Sequence, residues 1–267
     1  MADAVRDPSH LRILLSNDDG IQAPGLKVLE RIARTLSSDV WIVAPEVEQS
    51  GASHSLTLRR PLRLRKLDER RFAVDGTPTD CVLLAINHVL RDRKPDLVLS
   101  GVNHGSNIGE DVTYSGTIAA AMEATLLDVP SIALSLDIGD NGDPVQWATA
   151  EQWGADVIRR AVLSGWPANV LLNVNFPACP ASAVRGIKVV RHGKRKVSDD
   201  LTERVDPRGQ TYFWIGQLRG EADVTADTDV AVVKGGGISV TPLHLDLTHG
   251  ATLTTLKPAF AGPWDTL

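Results

Sequence analysis

The sequence predicts an α/β fold, in which a mostly parallel sheet is flanked by helices and followed by a β-rich C-terminal extension. Over the first two thirds of the chain, short apolar runs bounded by turn residues alternate with helical patterns. This alternation is typical of buried parallel strands joined by crossover helices. After Pro177 the pattern changes, because short β-like runs follow one another without a clear helical period. The order therefore favours a doubly wound sheet with an appended β-rich region.

Five apolar runs are the predicted strands of the α/β core. They cover residues 11–16, 40–44, 97–100, 132–136 and 170–174. Helices are predicted between them, over residues 24–36, 77–90, 115–127 and 145–163. Pro24 suits the first turn of its helix, and Thr77 with Asp80 forms a capping-box pattern around Pro78.

The C-terminal extension is predicted to consist mainly of strands. The candidate strands cover residues 186–191, 211–215, 230–233 and 238–240. Residues 206–209 predict a hairpin turn, and such arms often pack on a partner subunit. We therefore divide the chain into three parts: a polar N-terminal extension (1–10) without an assigned role, an α/β core (11–180), and a β-rich region (181–267) that completes the core and contacts other subunits.

Composition argues against several classes of protein. The net charge of -5 disfavours a general electrostatic grip on long nucleic acid, which usually requires a basic face. Cys81 and Cys179 lie far apart, so neither a disulfide framework nor a thiolate zinc site is predicted, and a cytoplasmic location is favoured. The N-terminus lacks an apolar signal core, and no apolar run approaches the roughly 18 residues of a spanning helix, so we expect no membrane association.

Two adjacent carboxylates follow the first predicted strand. Asp18 and Asp19 come just after Ser16, and Gly20 permits a tight turn. Ligands of an open parallel sheet bind outside the carboxyl ends of its strands, which is where this pair is expected. A hard cation would explain why two like charges are adjacent. The alternative is a polar turn in which one aspartate caps a helix.

Two further loops are expected at the same edge of the sheet. In residues 49–53, a serine hydroxyl is a plausible oxygen ligand, although a solvated flexible loop fits the same residues. In residues 100–109, glycines such as Gly105 alternate with amides and hydroxyls such as Asn107, so that backbone amides can cradle phosphate. An ordinary glycine-rich connection is the alternative. His104 is left without a catalytic role, because a lone loop histidine more often bonds backbone or water.

A fourth polar segment stands directly before a predicted helix. The hydroxyls and backbone amides of Ser115, Gly116 and Thr117 would lie at the helix N-terminus, which is a ready anion site. A simple N-cap at Ser115 is the alternative. The four segments converge on one sheet edge, and this convergence favours a site for a metal and a phosphate group.

Taken together, these segments closely resemble the SurE family of 5′/3′-nucleotidases. The resemblance is carried, in order, by ILLSNDDG (13–20), QSGAS (49–53), GTPTD (76–80), SGVN (100–103), YSGT (114–117) and SVTPL (239–243). It covers nearly the whole chain, from about Arg12 to Leu247. The combination is far more specific than any one of the motifs.

The resemblance implies a Rossmann-like core, a β-rich part used in homodimer or homotetramer assembly, and one divalent metal ion per subunit, commonly Mg²⁺ or Mn²⁺. It implies hydrolysis of nucleoside 5′- and 3′-monophosphates and leaves short polyphosphate open as a further substrate. Either carboxylate of the acid pair could accept the proton of the attacking water. The residues that correspond to the metal ligands are Asp18, Asp19, Ser50 and Asn103, and those that would face the substrate phosphate are Asn17, Ser115, Gly116 and Thr117.

Three other interpretations were compared with a nucleotidase. A phosphatase that forms an aspartyl-phosphate usually has one residue between its two aspartates, whereas Asp18 and Asp19 follow each other directly. A phospho-acceptor receiver domain needs an aspartate after its third parallel strand, where this chain has Ser100 and Asn103. A non-enzymatic nucleotide-binding module on the same fold stays open, and only an assay with added metal separates it from a nucleotidase.

Overall fold

The structure is a computed structural model that describes residues 7–139, 144–195, 201–215, 225 and 227–262. Its strands are β1 (Arg12–Ser16), β2 (Asp39–Pro45), β3 (Leu64–Asp68), β4 (Arg71–Val74), β5 (Leu97–His104), β6 (Ser131–Leu136), β7 (Val170–Phe176), β8 (Ile187–Val189), β9 (Leu201–Val205), β10 (Thr211–Ile215) and β11 (Ile238–His244). Its helices are α1 (Pro24–Arg34), α2 (Pro78–Leu84), α3 (Gly116–Leu126), α4 (Trp147–Ser164), α5 (Asp229–Lys234) and α6 (Gly250–Leu256). No helix within the described ranges combines the length and hydropathy of a membrane-spanning segment.

Within the described residues, nine strands form one sheet in the order β3-β4-β2-β1-β5-β6-β7-β11-β8. The six strands β4-β2-β1-β5-β6-β7 in the middle of the sheet are parallel to one another. β3 and β11 are antiparallel to β4 and β7, respectively, and β8 is parallel to β11. The predicted α/β fold with a mostly parallel sheet is therefore confirmed.

Helices cover both faces of this sheet. Ile13 and Leu15 of β1 pack in the same apolar cluster as buried residues of α1 and α4, whereas Leu14 packs with those of α2 and α3. β1 lies between β2 and β5, so the chain builds the sheet outwards from β1 in both directions. In sheets of this kind, the ends of the two strands at such a switch point form a ligand-binding crevice.

Capping residues fix the start of α2 as predicted. Thr77 accepts a hydrogen bond from the Asp80 backbone N–H at 3.1 Å, and the Asp80 carboxylate accepts one from the Thr77 N–H at 2.9 Å. This reciprocal pair is a capping box, with Pro78 at the first helical turn. After Leu84 the chain continues as a π-helical turn, Ala85–Val89, close to the predicted end of the helix.

The predicted strand over residues 230–233 was wrong. These residues lie in α5, where the Thr228 hydroxyl caps the helix by accepting from the Ala231 N–H. Val230 and Val233, one helical turn apart, are both buried against Ile108. The cap and this spacing outweigh the β propensity of valine, which is mainly a packing preference.

Elements of the C-terminal region extend the main sheet. β11 pairs with β7 from Ser239 opposite Asn175 to His244 opposite Val170. β9 and β10 form a separate antiparallel hairpin around the predicted turn at residues 206–209. Because β8 and β11 belong to the same sheet as β1 to β7, the division of the chain at residue 180 stays a prediction.

Candidate active site

The carboxylate of Asp18 is buried at the end of β1. Its side chain accepts a hydrogen bond from the Thr117 hydroxyl at the start of α3, and the residue is only 4% exposed. Burial raises the pKa of Asp18 to about 6, the Thr117 hydroxyl opposes this rise, and the charge of Asp19 adds to it. The protein thus keeps an acidic group where its ionised form is poorly solvated.

Asp19 stands beside Asp18 and faces the end of β5. Its Oδ2 accepts the backbone N–H of His104 at 3.3 Å. Burial raises the pKa of Asp19; the contact with His104 lowers it, and the charge of Glu48 raises it further. In the described part of the chain, no lysine or arginine forms an ion pair with Asp18 or Asp19. Two partly desolvated carboxylates therefore have no lysine or arginine partner in the described residues, and His104 is the basic side chain that acts on Asp19.

Helix α3 points its N-terminus at this acid pair. Ser115 is the N-cap, since its hydroxyl accepts the Ile118 N–H at 3.1 Å, as one of the two interpretations predicted. A β-carbon on Gly116 would lie 2.7 Å from Cβ and 2.9 Å from Oδ2 of Asp18, so only glycine allows this close approach. The positive end of the helix dipole faces Asp18, which means that the anion nearest this N-terminus is a carboxylate of the protein itself.

The loop after β2 is fastened to the same place. The backbone N–H of Gln49 donates to the Asp18 carbonyl oxygen at 2.8 Å. Ser50 follows Gln49 and is exposed, and its hydroxyl donates to Glu48 Oε1 at 2.9 Å. Further on, the Ser53 hydroxyl donates to the Thr113 carbonyl at 2.8 Å, which ties the loop to the segment before α3. The predicted hydroxyl loop therefore lies next to the acid pair and is held by hydrogen bonds.

Asn103 lies at the end of β5, next to the contact that joins His104 to Asp19. Its side-chain amide donates to the Gly105 carbonyl at 2.9 Å, and the residue is half-buried. Upstream, the peptide bond between Gly101 and Val102 is cis. A β-carbon at Gly101 would lie 2.1 Å from the Leu134 carbonyl oxygen, so glycine is required there.

Asn17 is buried beneath the acid pair. Its amide nitrogen donates to the Gly20 carbonyl at 3.0 Å and braces the turn. Its Oδ1 has no hydrogen-bond partner among the described residues. A carbonyl oxygen is an acceptor, which suits a cation, a water or a hydroxyl group better than a phosphate oxygen.

A match to a family model decides the relationship. The model described as "Survival protein SurE" matches residues 13–199. This chain belongs to the SurE family. It is 62% identical to the protein named 5′-nucleotidase SurE of Paramagnetospirillum magneticum, over 96% of this chain and 98% of that protein. It is 56% identical to the 5′-nucleotidase SurE of Rhodospirillum rubrum, over 97% and 100%. The crystal structure of a SurE protein from Aquifex aeolicus superimposes with a TM-score of 0.81 at 40% identity, over 92% and 98%.

This SurE chain offers oxygen ligands that suit a hard divalent cation. The buried Asp18 and the half-buried Asp19 have raised pKa values because burial and nearby like charge disfavour their ionised forms, and a bound cation would remove that cost. Among the described residues, no three His, Cys, Asp or Glu side chains are arranged to hold a metal ion. The predicted set contains only two such residues, and its remaining ligands are a hydroxyl and an amide.

Two predicted phosphate ligands in the loop after β5 have their donors occupied, as the Asn17 amide and the Thr117 hydroxyl also do. The backbone N–H of Gly105 donates to the Leu136 carbonyl at 2.9 Å. The N–H of Asn107 donates to Asn175 Oδ1, and its side chain donates to Ser135 Oγ, both at 2.8 Å. Direct phosphate binding by these groups would require the hydrogen bonds to break, and it stays a prediction.

Sequence reasoning missed the buried partners that hold this loop. Asn173 and Asn175 both donate to the Asn107 carbonyl oxygen, and Asp229 accepts the N–H groups of Gly109 and Gly193. These three side chains are fully buried. The two asparagines interrupt the apolar pattern of β7, which is a sequence signal that could have been noticed.

A charged pair flanks the same loop on its outer side. Arg195 donates from Nη1 to Ser106 Oγ at 3.1 Å and to Asp111 Oδ2 at 2.9 Å. Burial raises the pKa of Asp111, and the charge of Arg195 acts in the opposite direction. Neither residue was selected from the sequence, because they are distant along the chain and belong to none of the motifs.

Proposed function

We propose that this chain is a metal-dependent nucleotidase that hydrolyses nucleoside 5′-monophosphates, and also 3′-monophosphates, to nucleoside and phosphate. The observation that carries the proposal is the partly desolvated acid pair, which forms no ion pair with a lysine or arginine of the described residues, lies at the β1–β5 switch point and faces the N-terminus of α3. Two relatives that match almost the full length of the chain bear the name 5′-nucleotidase SurE, which supports the same activity.

One Mg²⁺ or Mn²⁺ ion per subunit is proposed to bind to Asp18, Asp19, Ser50 and Asn103. When bound, such an ion polarises the phosphate ester and lowers the pKa of a water. Either Asp18 or Asp19 would accept the proton of the attacking water, and the Thr117 hydroxyl and backbone N–H hold the Asp18 carboxylate in place. Positive charge at the start of α3 stabilises the transferring phosphoryl group.

The phosphate pocket is proposed to lie between the acid pair and α3. Ser115, Gly116 and Thr117 are the leading phosphate ligands, because they form the positive end of that helix. Asn17, Gly105 and Asn107 are proposed to complete the pocket, and their present hydrogen bonds would then be exchanged for contacts with the substrate. No covalent phosphoenzyme is needed, because water attacks phosphorus directly.

Mononucleotides are expected to be preferred over long nucleic acid. Binding of long RNA or DNA depends on many phosphate contacts, and a chain with a net charge of -5 is poorly suited to supply them. Phosphate release should therefore be measured from AMP, GMP, their 3′ isomers, short polyphosphate, long RNA and single-stranded DNA, at low and high monovalent salt. We expect release from the mononucleotides with only a modest dependence on salt.

Two results of this panel would contradict the proposal. Efficient processing of long RNA or DNA without release from any mononucleotide would require a binding surface other than a metal and a phosphate pocket. Nucleotide binding without phosphate release in the metal-replete protein would instead identify a non-enzymatic binding module.

The β9–β10 hairpin is proposed to contact a second copy of the chain in a homodimer or homotetramer. One face of the hairpin carries Leu201, Val205, Phe213 and Ile215, which are 59–79% exposed. An apolar face of this kind is typical of an interface. The occupant is proposed to be another subunit, because the hairpin is an arm outside the main sheet.

Charges placed on this face should shift the protein toward monomer. We expect the double variant Phe213→Glu with Ile215→Glu to lower the molar mass measured by light scattering, since two desolvated carboxylates disfavour burial of the face. Glutamates at Ser38 and Ser182, both exposed elsewhere, match the change in charge and should keep the original mass. An unchanged mass in the hairpin variant would exclude this face from the interface.

A further inference from the structure

Glu48 occupies a position that the family resemblance does not explain. Its Oε1 accepts the hydroxyl hydrogen of Ser50 at 2.9 Å. Its backbone nitrogen lies 3.4 Å from the place where a β-carbon of Gly20 would stand, so the loop after β2 runs close to the acid-pair turn. The Gln49 N–H that donates to the Asp18 carbonyl comes from the residue between Glu48 and Ser50. These contacts place Glu48 beside the proposed metal ligands.

The hydrogen bond from Ser50 to Glu48 has a chemical consequence for the hydroxyl. A hydroxyl group has one hydrogen and two acceptor lone pairs. When the hydrogen is given to a carboxylate, both lone pairs point elsewhere, and the oxygen becomes more electron-rich. Carboxylates that accept the hydrogen of a metal-bound histidine act in the same way, since they fix the orientation of the ligand and raise its basicity.

We propose that Glu48 is a positioning residue, which holds the Ser50 hydroxyl with its lone pairs available to a divalent cation bound at Asp18 and Asp19. The inference rests on the proposed metal-dependent function. Glu48 acts through its hydrogen bond with Ser50. Its effect is on cation affinity.

Glu46 provides a matched control in the same loop. It is also an exposed glutamate, but its carboxylate pairs with the Arg65 guanidinium at 2.5 Å and does not contact Ser50. Glu46→Gln and Glu48→Gln therefore remove the same charge from neighbouring positions. If only the charge of the loop mattered, both variants would bind the cation more weakly. If Glu48 acts by positioning Ser50, only Glu48→Gln would bind it more weakly.

The test is calorimetric titration of Mn²⁺ into protein that has been stripped of metal with a chelator. Wild type is compared with Glu48→Gln, Glu46→Gln, Ser50→Ala and the double variant of Glu48 and Ser50, and the unfolding temperature of each is recorded. We expect Glu48→Gln to bind Mn²⁺ about tenfold more weakly at an unchanged unfolding temperature. Glu46→Gln should bind like wild type. In the Ser50→Ala background, the Glu48 substitution should have little further effect, because the two residues act together.

Three outcomes would overturn the inference. Equal affinity of wild type and Glu48→Gln would remove any role for Glu48. If Mn²⁺ affinity fell equally in Glu46→Gln and Glu48→Gln, the effect would belong to the charge of the loop. If Glu48→Gln lowered Mn²⁺ affinity about tenfold in the Ser50→Ala background as well, Ser50 would not be involved. If wild type itself bound no Mn²⁺, the proposed metal-dependent function would fail together with the inference.

Discussion

Asp18→Asn is expected to leave the chain folded and to lower phosphate release from mononucleotides by about a hundredfold or more. Asparagine keeps the shape of the side chain and removes the charge proposed to bind the cation. The variant also loses the carboxylate that could accept the proton of the attacking water. The rate should be measured at saturating Mg²⁺, so that weakened binding alone does not account for the loss.

The fold should tolerate this substitution because of where the charge lies. Burial raises the pKa of Asp18 from its ordinary value of 3.8 to about 6. The neutral acid therefore contributes its full stability below pH 3.8, and this contribution is lost as the pH rises through about 6. At pH 7 in metal-free protein, the ionised group lowers the free energy of unfolding. A neutral asparagine removes this cost, and the free energy of unfolding should stay equal or rise.

Asp156→Asn is the matched control for Asp18→Asn. Asp156 lies on α4, pairs with Arg160 and is distant from the four site motifs. This substitution changes the net charge by the same amount and should leave turnover unchanged. Near-normal turnover of Asp18→Asn at saturating Mg²⁺ would exclude Asp18 as a metal ligand.

The proximity of the candidate site segments could be predicted from the sequence because it depends on local order. Asp18 and Asp19 follow an apolar strand, and Ser115 precedes a helix whose N-terminal hydrogen bond it makes. The carboxyl ends of parallel strands meet at one edge, so the fold class alone brings these segments together. The structure adds what a pattern cannot contain, namely that α3 directs its N-terminus at Asp18 through the Thr117 hydroxyl.

Contacts between residues that are distant along the chain could not be predicted. The loop at Asn107 is held by Asn173 and Asn175, more than sixty positions away, and its hydrogen bonds use donors that the sequence alone assigns to phosphate. Glu48 looks like an ordinary exposed loop residue until its contact with Ser50 is known. No local pattern indicates such pairs.

Errors in secondary structure arose where local propensity and tertiary packing disagree. Residues 230–233 are rich in valine and were predicted as a strand, but a Thr228 cap and two buried valines make them a helix. The β3–β4 hairpin was missed because three of the five residues of the edge strand β3 are charged and β4 is only four residues long. An edge strand can keep such residues, since it exposes one face and one margin to solvent.

Removal of divalent cations is expected to abolish phosphate release altogether. Asp18 and Asp19 have no lysine or arginine partner in the described part of the chain, so no such side chain is placed to replace the metal in the proposed chemistry. Chelation should leave the circular dichroism spectrum unchanged, because strand pairing and large apolar clusters hold the sheet and its helices together. The loss of activity would then be a loss of chemistry and not of folding.

The most direct measurement is phosphate release from AMP and 3′-AMP by one preparation of protein, first treated with a chelator and then titrated with Mg²⁺ or Mn²⁺. We predict no release above the uncatalysed background after chelation, and recovery of activity as Mg²⁺ or Mn²⁺ is added back to about one ion per subunit. Release that continues unchanged in excess chelator would contradict a metal-dependent nucleotidase. So would a fully folded, metal-replete protein that releases no phosphate from either substrate.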